Sequence, residues 1–236
     1  YMFNHRPNSL NAGSLWGRPF YILREAWNIL NAIAEGKIES GDEKKLNALK
    51  GETMAVIALC QFDLTRCFGY PYTKDNGASL GAPLIDHLVG TYENPSRSTV
   101  AQAYDFIIET LEEAVTLMSE EKNNGRMNKY AARALLARVY LYHNDNRKAF
   151  DMAEQLIKDV DASGSYALYP HEKYVAAWSV ETKFGSESFF EIANSVDDTP
   201  GRDSWGYLLN WYGYQKGFVT QKYAEQMLAA PGDVRG

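Results

Sequence analysis

The stretch NKYAARALLARVYLYHNDNRKAFDMAEQLIKDV, residues 128–160, decides the fold. Asn128 has the short polar side chain that satisfies an orphan backbone N–H at a helix start. From it, Ala131, Ala134, Leu135, Leu136, Val139, Tyr140, Leu141 and Tyr142 predict a helix to about His143. That helix is apolar on nearly every side, and a helix greasy all round is expected to be buried all round. Asn144, Asp145 and Asn146 make a short polar turn. Ala149, Met152, Ala153, Leu156, Ile157 and Val160 then recur at helical spacing, so a second helix folds back on the first.

Small and aromatic positions in this pair fall where a tetratricopeptide hairpin puts them: Ala137 and Tyr140 on the first helix, Ala149 on the second. The small residues allow close approach, and Tyr140 fills the wedge beside them. One such unit cannot bury its faces, so flanking helices must supply neighbours. They are visible upstream. Arg18 to Glu35 sets Ile22, Leu23, Ala26, Trp27, Leu30, Ile33 and Ala34 on one stripe, ended by Gly36. A longer helix from about Asp42 to Phe68 has Leu46, Leu49, Val56, Ile57, Cys60, Leu64 and Phe68 as its seam, stopped by Gly69 and Pro71. Thr99 and Gln102 form a capping box ahead of a third helix with Val100, Tyr104, Ile107, Ile108, Leu111, Val115 and Met118 inward and Asp105, Glu109, Glu112 and Glu113 outward. Residues 69–97 are rich in Gly and Pro without periodicity and read as one long loop, a kind that is usually functional or partly disordered.

After residue 160 the 3.6-residue rhythm gives way to Gly, Ser, Pro and aromatics. Short extended runs are expected at Tyr166–Tyr169 and Ser188–Ala193, ordered loops from Asp197 to Gly217, and a last short helix over 218–230. The fold expected is mainly α, with tetratricopeptide-like helical hairpins, long Gly/Pro/aromatic-rich loops and a few short strands. Residues 1–165 form the scaffold, and 166–236 a loop-rich region packed on it within the same domain, with more chain expected to complete it.

Composition narrows the function. The 236 residues are 45% apolar and 23% charged, an ordinary globular balance. The net charge of −6 and pI near 5.3, with no Lys/Arg block, argue against nucleic-acid or anionic-membrane partners. Apolar stretches such as Met54 to Cys60 fall far short of the ~18 residues of a membrane span. The chain opens Tyr1-Met2-Phe3-Asn4-His5, without a signal peptide, and reads as part of something longer, so its destination stays open.

Little reads as chemistry. Cys60 and Cys67, seven apart on a helix, sit about 10 Å from each other, too far for a disulfide, and read with Leu64 as buried apolar residues. The four His are scattered, so no metal set forms. Asp159, Asp161, Ser163 and Gly164 open like a calcium loop, but position 12 is Pro170 where a bidentate Glu is needed. A helix end followed by a Ser-Gly turn is the simpler reading. Glu187 and Glu191 are the nearby carboxylates, yet four positions apart in a strand they are about 13 Å from each other, wide for glycoside hydrolysis. They read as polar positions on an edge strand. No nucleophile elbow, zinc-helix, Walker or dinucleotide motif is present. No catalytic centre, cofactor or metal is expected.

The informative cluster is aromatic. The chain holds 16 Tyr, 10 Phe and 5 Trp, and Trp205, Tyr207, Trp211, Tyr212, Tyr214, Phe218 and Tyr223 interleave with glycines just after Arg202 and Asp203. Sugar rings offer apolar C–H faces and a hydroxyl rim, which flat aromatics and nearby charged groups match at low entropy cost. The same rings could instead close a core under long loops. The candidate binding residues are Trp205, Tyr207, Trp211, Tyr212, Arg202 and Asp203, with Trp16 added from its Gly/Asn-rich lead-in.

Five stretches in order resemble the SusD/RagB family of surface glycan-binding lipoproteins. They are Gly51-Glu52-Thr53-Met54-Ala55 running into Phe62-Asp63-Leu64-Thr65-Arg66-Cys67-Phe68-Gly69 and Pro71-Tyr72; Arg97-Ser98-Thr99-Val100 with Tyr104, Ile107 and Leu111; Gly125-Arg126 through Lys129 to Tyr142; Ser163 to Leu168; and Glu187 to Ile192. The resemblance spans about residues 15–195. It implies a tetratricopeptide-like scaffold whose loops bind an oligosaccharide without catalysis. It also implies a SusC-like TonB-dependent outer-membrane transporter as partner, in polysaccharide utilisation and nutrient uptake, and an outer-membrane, cell-surface lipoprotein tethered by a lipidated N-terminal Cys. No such Cys is in this chain, and about half the family's length is present, so the anchor and a C-terminal portion are expected to lie outside it. The family's sugar contacts lie in variable loops with no motif to match, so none carries over by residue. Two other readings stay open: a peptide- or protein-binding helical-repeat scaffold, and a helical glycoside hydrolase using Glu187 or Glu191.

Overall fold

The computed structural model describes residues 11–38, 41–122, 124–178, 183–192, 195, 197, 199, 201–210, 212–215, 219–230 and 232–233. The chain forms two compact units, Tyr1–Gly164 and Ser165–Gly236.

The first unit is five helices, α1 (Asn11–Ala34), α2 (Glu43–Phe68), α3 (Val100–Leu117), α4 (Lys129–Tyr142) and α5 (Asn146–Ser163), each packed on its sequence neighbours. This successive hairpin stacking is the tetratricopeptide-like arrangement expected. Most helix ends are built as the sequence indicates. Asp42 accepts from the N–H groups of Lys44 and Lys45, Thr99 and Gln102 form the full capping box, Asn128 accepts from Ala131 N–H, and Gly164 closes α5 in the left-handed conformation at φ 64°. Tyr140 is buried and its hydroxyl donates to Glu112 of α3, so the wedge residue also ties the hairpin to its neighbour.

The helix buried on all sides is α2, not α4. Met54, Ala55, Ile57, Ala58, Phe62 and Leu64 are buried around its circumference, because α1, α3, α4 and the strand β1 (Leu80–Pro83) all contact it. At the end of α4, Leu141 and Tyr142 are exposed. Gly51 lets α2 and α3 meet: a Cβ there would lie 2.7 Å from Met118 Cγ and 2.9 Å from the Ala114 carbonyl oxygen. Three single-residue expectations are corrected. Cys67, Ile22 and Ile157 face outward, since each lies just past the edge of the stripe that meets a neighbouring helix. Ala34, in the last turn of α1, is exposed too. Cys60 is buried, and neither thiol is paired.

The first helix starts well before Arg18, so Trp16 lies inside α1 and not in a lead-in; Pro19 is accommodated within the helix at the loss of one backbone hydrogen bond. The long loop is also more ordered than its composition suggests. It holds a 3-10 turn at Tyr72–Lys74 and an antiparallel two-stranded ribbon of β1 with β2 (Arg97–Thr99). Arg97 donates to the carbonyls of Gly81 at 2.7 Å and Leu80 at 2.8 Å, and Ser98 to that of Ala82 at 3.0 Å. These bonds stabilise a strand whose own Gly81 and Pro83 disfavour it.

In the second unit the described helices are short: α6 (Tyr174–Ala177), α7 (Trp205–Leu209) and α8 (Gln221–Leu228), with 3-10 turns at His171–Lys173 and Gly201–Asp203. No strand forms among the described residues of 166–169 or 188–192. Instead Ala167 N–H donates to the Ser186 carbonyl, and Glu187 and Glu191 accept backbone N–H groups, Glu187 from Tyr169 and Glu191 from Phe184 and Gly185. Tyr166 packs edge-on against Phe189 at 4.9 Å. Among the described residues no helix is long and apolar enough to cross a membrane.

Candidate functional site

Among the described residues, an apolar cleft of about 390 Å³ lies in the first unit. One wall is a face of α1, where Trp16, Phe20 and Arg24 recur at i, i+4 and i+8 and therefore stack one above another. The floor is Pro83, the last residue of β1, and Ile85 just past it, and the far wall is His87, Val89 and Pro95. Trp16 is held edge-to-face by Phe20 at 5.0 Å and Phe68 at 4.7 Å, yet stays 39% exposed. A ring fixed by two others and open on its remaining surface is a ready platform for a flat apolar ligand face.

Two polar side chains fix the floor. Gln61, fully buried on α2, donates to the Pro83 carbonyl at 3.1 Å and accepts from Ile85 N–H at 3.3 Å. Trp27, on α1, donates its indole N–H to the Ile85 carbonyl at 3.1 Å. Ile85 and Ala82 then pack with Leu23, Ala26, Ile57, Cys60 and Leu64 in one core cluster, so the floor belongs to the α1–α2 interior.

The charged rim is self-paired. His87 holds Asp86 through Nδ1 at 2.6 Å and Glu93 through Nε2 at 2.7 Å, and Glu93 also accepts Gly90 N–H at 3.1 Å. These bonds, Asp86 first and Glu93 second, raise the imidazole's pKa above its ordinary value. The Gly90 N–H, with His87 next, lowers that of Glu93. Arg24 pairs with its neighbour Glu25 at 2.8 Å and lies over the Tyr21 ring.

The expected site residues fall in two places. Trp16 is in the cleft. The others lie in the second unit: Arg202 is exposed in the 3-10 turn that also holds the backbone of Asp203; Trp205 begins α7; Tyr207 is half-buried and meets Tyr214 edge-on at 5.1 Å; Tyr212 is 90% exposed. Trp211 lies outside the described residues. Phe20, Ile85, His87 and Val89 escaped sequence reasoning. The length of the 69–97 loop pointed to their region, but their partner helix is distant in the chain.

Glu187 and Glu191 clamp loop backbone. Asp159 is paired with Arg133 at 2.6 Å and hydrogen-bonded by Gln155, so the calcium-like stretch is a helix end. Among the described residues no His, Cys, Asp and Glu side chains gather as a metal set.

Comparison with known proteins converges on one group. Residues 4–141 match the SusD-like family described as starch-binding, associating with the outer membrane. A SusD superfamily protein from Bacteroides vulgatus is 96% identical, with a TM-score of 0.95 over 100% of this chain and 53% of that one. A second Bacteroides vulgatus structure, of a candidate sugar-binding protein, is 38% identical with a TM-score of 0.84, covering 93% of this chain and 49% of its own. A SusD superfamily protein from Bacteroides thetaiotaomicron is 33% identical with a TM-score of 0.81, covering 92% and 48%. The chain therefore spans about half the length of these relatives. No curated protein matches it.

Proposed function

The chain belongs to the SusD-like family, and from that premise we propose that it is the helical part of a cell-surface protein that captures a glycan without catalysis. The observation that carries this reading is Trp16: an indole braced by Phe20 and Phe68 and open above the floor formed by Pro83 and Ile85. The family's printed description and the sugar-binding designation of the 38%-identical relative support the ligand class. A rigid aromatic platform binds sugar mainly by removing apolar C–H surface from water, with polar groups setting orientation. The exposed Tyr212, with Arg202, Asp203, Trp205, Tyr207 and Trp211, is proposed as a second contact segment. Captured glycan would pass to a SusC-like TonB-dependent transporter, with the whole protein lipid-anchored in the outer membrane.

Native gel electrophoresis through embedded neutral polysaccharides tests the capture step. Retardation in at least one gel is expected, and unchanged mobility across a broad panel would count against it. Co-purification of a TonB-dependent transporter with the membrane-expressed full-length protein tests delivery.

One observation favours a second reading, a scaffold for a protein partner. Phe150 and Ile157, a heptad apart on α5, are 60% and 62% exposed. Loss of partner capture in Phe150→Ser but not in Trp16→Ala would support it.

A further inference from the structure

The Trp16 cleft does not end at its far wall. His87 and Pro95 line it on one side and, on the other, line a second groove of about 530 Å³. Both hollows fall within the ~300–1,000 Å³ typical of ligand pockets. The character changes across that ridge: the first is walled by Trp16, Phe20 and Val89, the second by Ser96, Gln102, Asp105 and Glu109.

Charge across the pair is uneven. Arg24 is paired with Glu25 and His87 is held between Asp86 and Glu93, while Arg97 donates to the neutral carbonyls of Gly81 and Leu80 and keeps its positive charge in the second groove. Asp105 and Glu109, one turn apart on α3 and both exposed, have no ion pair among the described residues. With Glu93, Asp105 and Glu109 set against Arg97 and His87, the second groove carries a small excess of negative charge next to an apolar platform.

Resting on the reading of Trp16 as a sugar platform, we infer that the glycan is an oligomer crossing His87 and Pro95, and that it is neutral or amine-bearing, not uronate or sulfated. One ring lies on Trp16. The next meets hydroxyl, amide and carboxylate groups that accept from sugar hydroxyls or an ammonium and repel carboxylates. One net unit charge about 6 Å away in water weakens an anion's binding by about threefold, and salt screens the effect.

Isothermal titration of the chain at low salt tests this with neutral hexasaccharides of glucose, mannose, galactose and xylose, a chitosan hexamer, hexagalacturonate, and the corresponding monosaccharides. The expected result is binding of a neutral or amine-bearing hexamer that is lost in Trp16→Ala, at least about tenfold weaker binding of its monosaccharide, and at least about threefold weaker binding of hexagalacturonate. The double variant Asp105→Asn/Glu109→Gln, altered only at exposed helix positions, is expected to bring hexagalacturonate to the affinity of the neutral hexamer. Trp16-dependent binding of hexagalacturonate as tight as that of a neutral hexamer would overturn the charge inference and leave the platform standing. A monosaccharide binding as tightly as the hexamer would overturn the extended groove. Absence of any Trp16-dependent binding would overturn the platform itself, and this inference with it.

Discussion

The indole N–H of Trp27 donates to the carbonyl of Ile85 at 3.1 Å, joining the inner face of α1 to the segment that follows β1. With Gln61 bonded to both Pro83 and Ile85, this makes the floor of the Trp16 cleft a consequence of helix packing and not of loop chance. Trp27→Phe keeps the ring and removes the donor, so a loss of about 1 kcal/mol is expected. Gln61→Leu strips partners from a buried carbonyl and a buried N–H, and should cost about 2 kcal/mol or more. Urea denaturation of both variants checks the order; equal, negligible losses would contradict it.

Gly51→Ala tests the α2–α3 contact. Alanine favours a helix by about 1 kcal/mol over glycine, but the new methyl would press on the Ala114 carbonyl oxygen at 2.9 Å, a backbone atom that cannot rotate away. Overpacking costs about 1–3 kcal/mol, so net destabilisation is expected, read as a Tm lower by a few degrees. A raised Tm would show that the helices separate freely.

His87 should titrate above the ordinary ~6.5 of histidine, because Asp86 and Glu93 both favour its charged form. A pKa raised on folding stabilises the folded chain below the unfolded value, and that contribution is lost as pH rises through the folded value. NMR of the imidazole carbons should show this, with a downward move in Glu93→Gln. Titration at or below 6.5 in the native chain would contradict the clamp.

The two thiols should separate cleanly. Cys60 is buried and its pKa is pushed up to about 11, by burial first and the charge of Asp63 second, while Cys67 is exposed. A thiol reagent at pH 8 should modify one site rapidly in the native chain and the second only on unfolding. Rapid double modification would mean that α2 opens.

The helical frame was legible because it is written locally. Thr99 with Gln102 and Asn128 act within a few residues and cap their helices as read, and Tyr140 and Ala149 are buried in the hairpin. Residues in two of the quoted family stretches make contacts within the scaffold. Glu52 accepts Met127 N–H and binds Arg126, and Arg66 pairs with Asp63 and lies over Phe62 at 4.6 Å. That is why they identify the family and leave the ligand unnamed. The ribbon was hidden because Gly81 and Pro83 disfavour a strand, and its stabilising bonds come from Arg97 and Ser98 across the loop. The cleft was hidden for a related reason. Its walls come from α1 and from the segment beyond β1, and only Trp16 was singled out, from a Gly/Asn-rich stretch that is in fact part of α1.

The most direct measurement is isothermal titration of one retained glycan against the native chain, Trp16→Ala and Trp178→Ala, the last removing an exposed indole of the second unit. Loss of an aromatic platform typically costs about 1–3 kcal/mol, so Trp16→Ala should weaken binding by about tenfold or more and Trp178→Ala should leave it unchanged. Full affinity in Trp16→Ala would contradict the account.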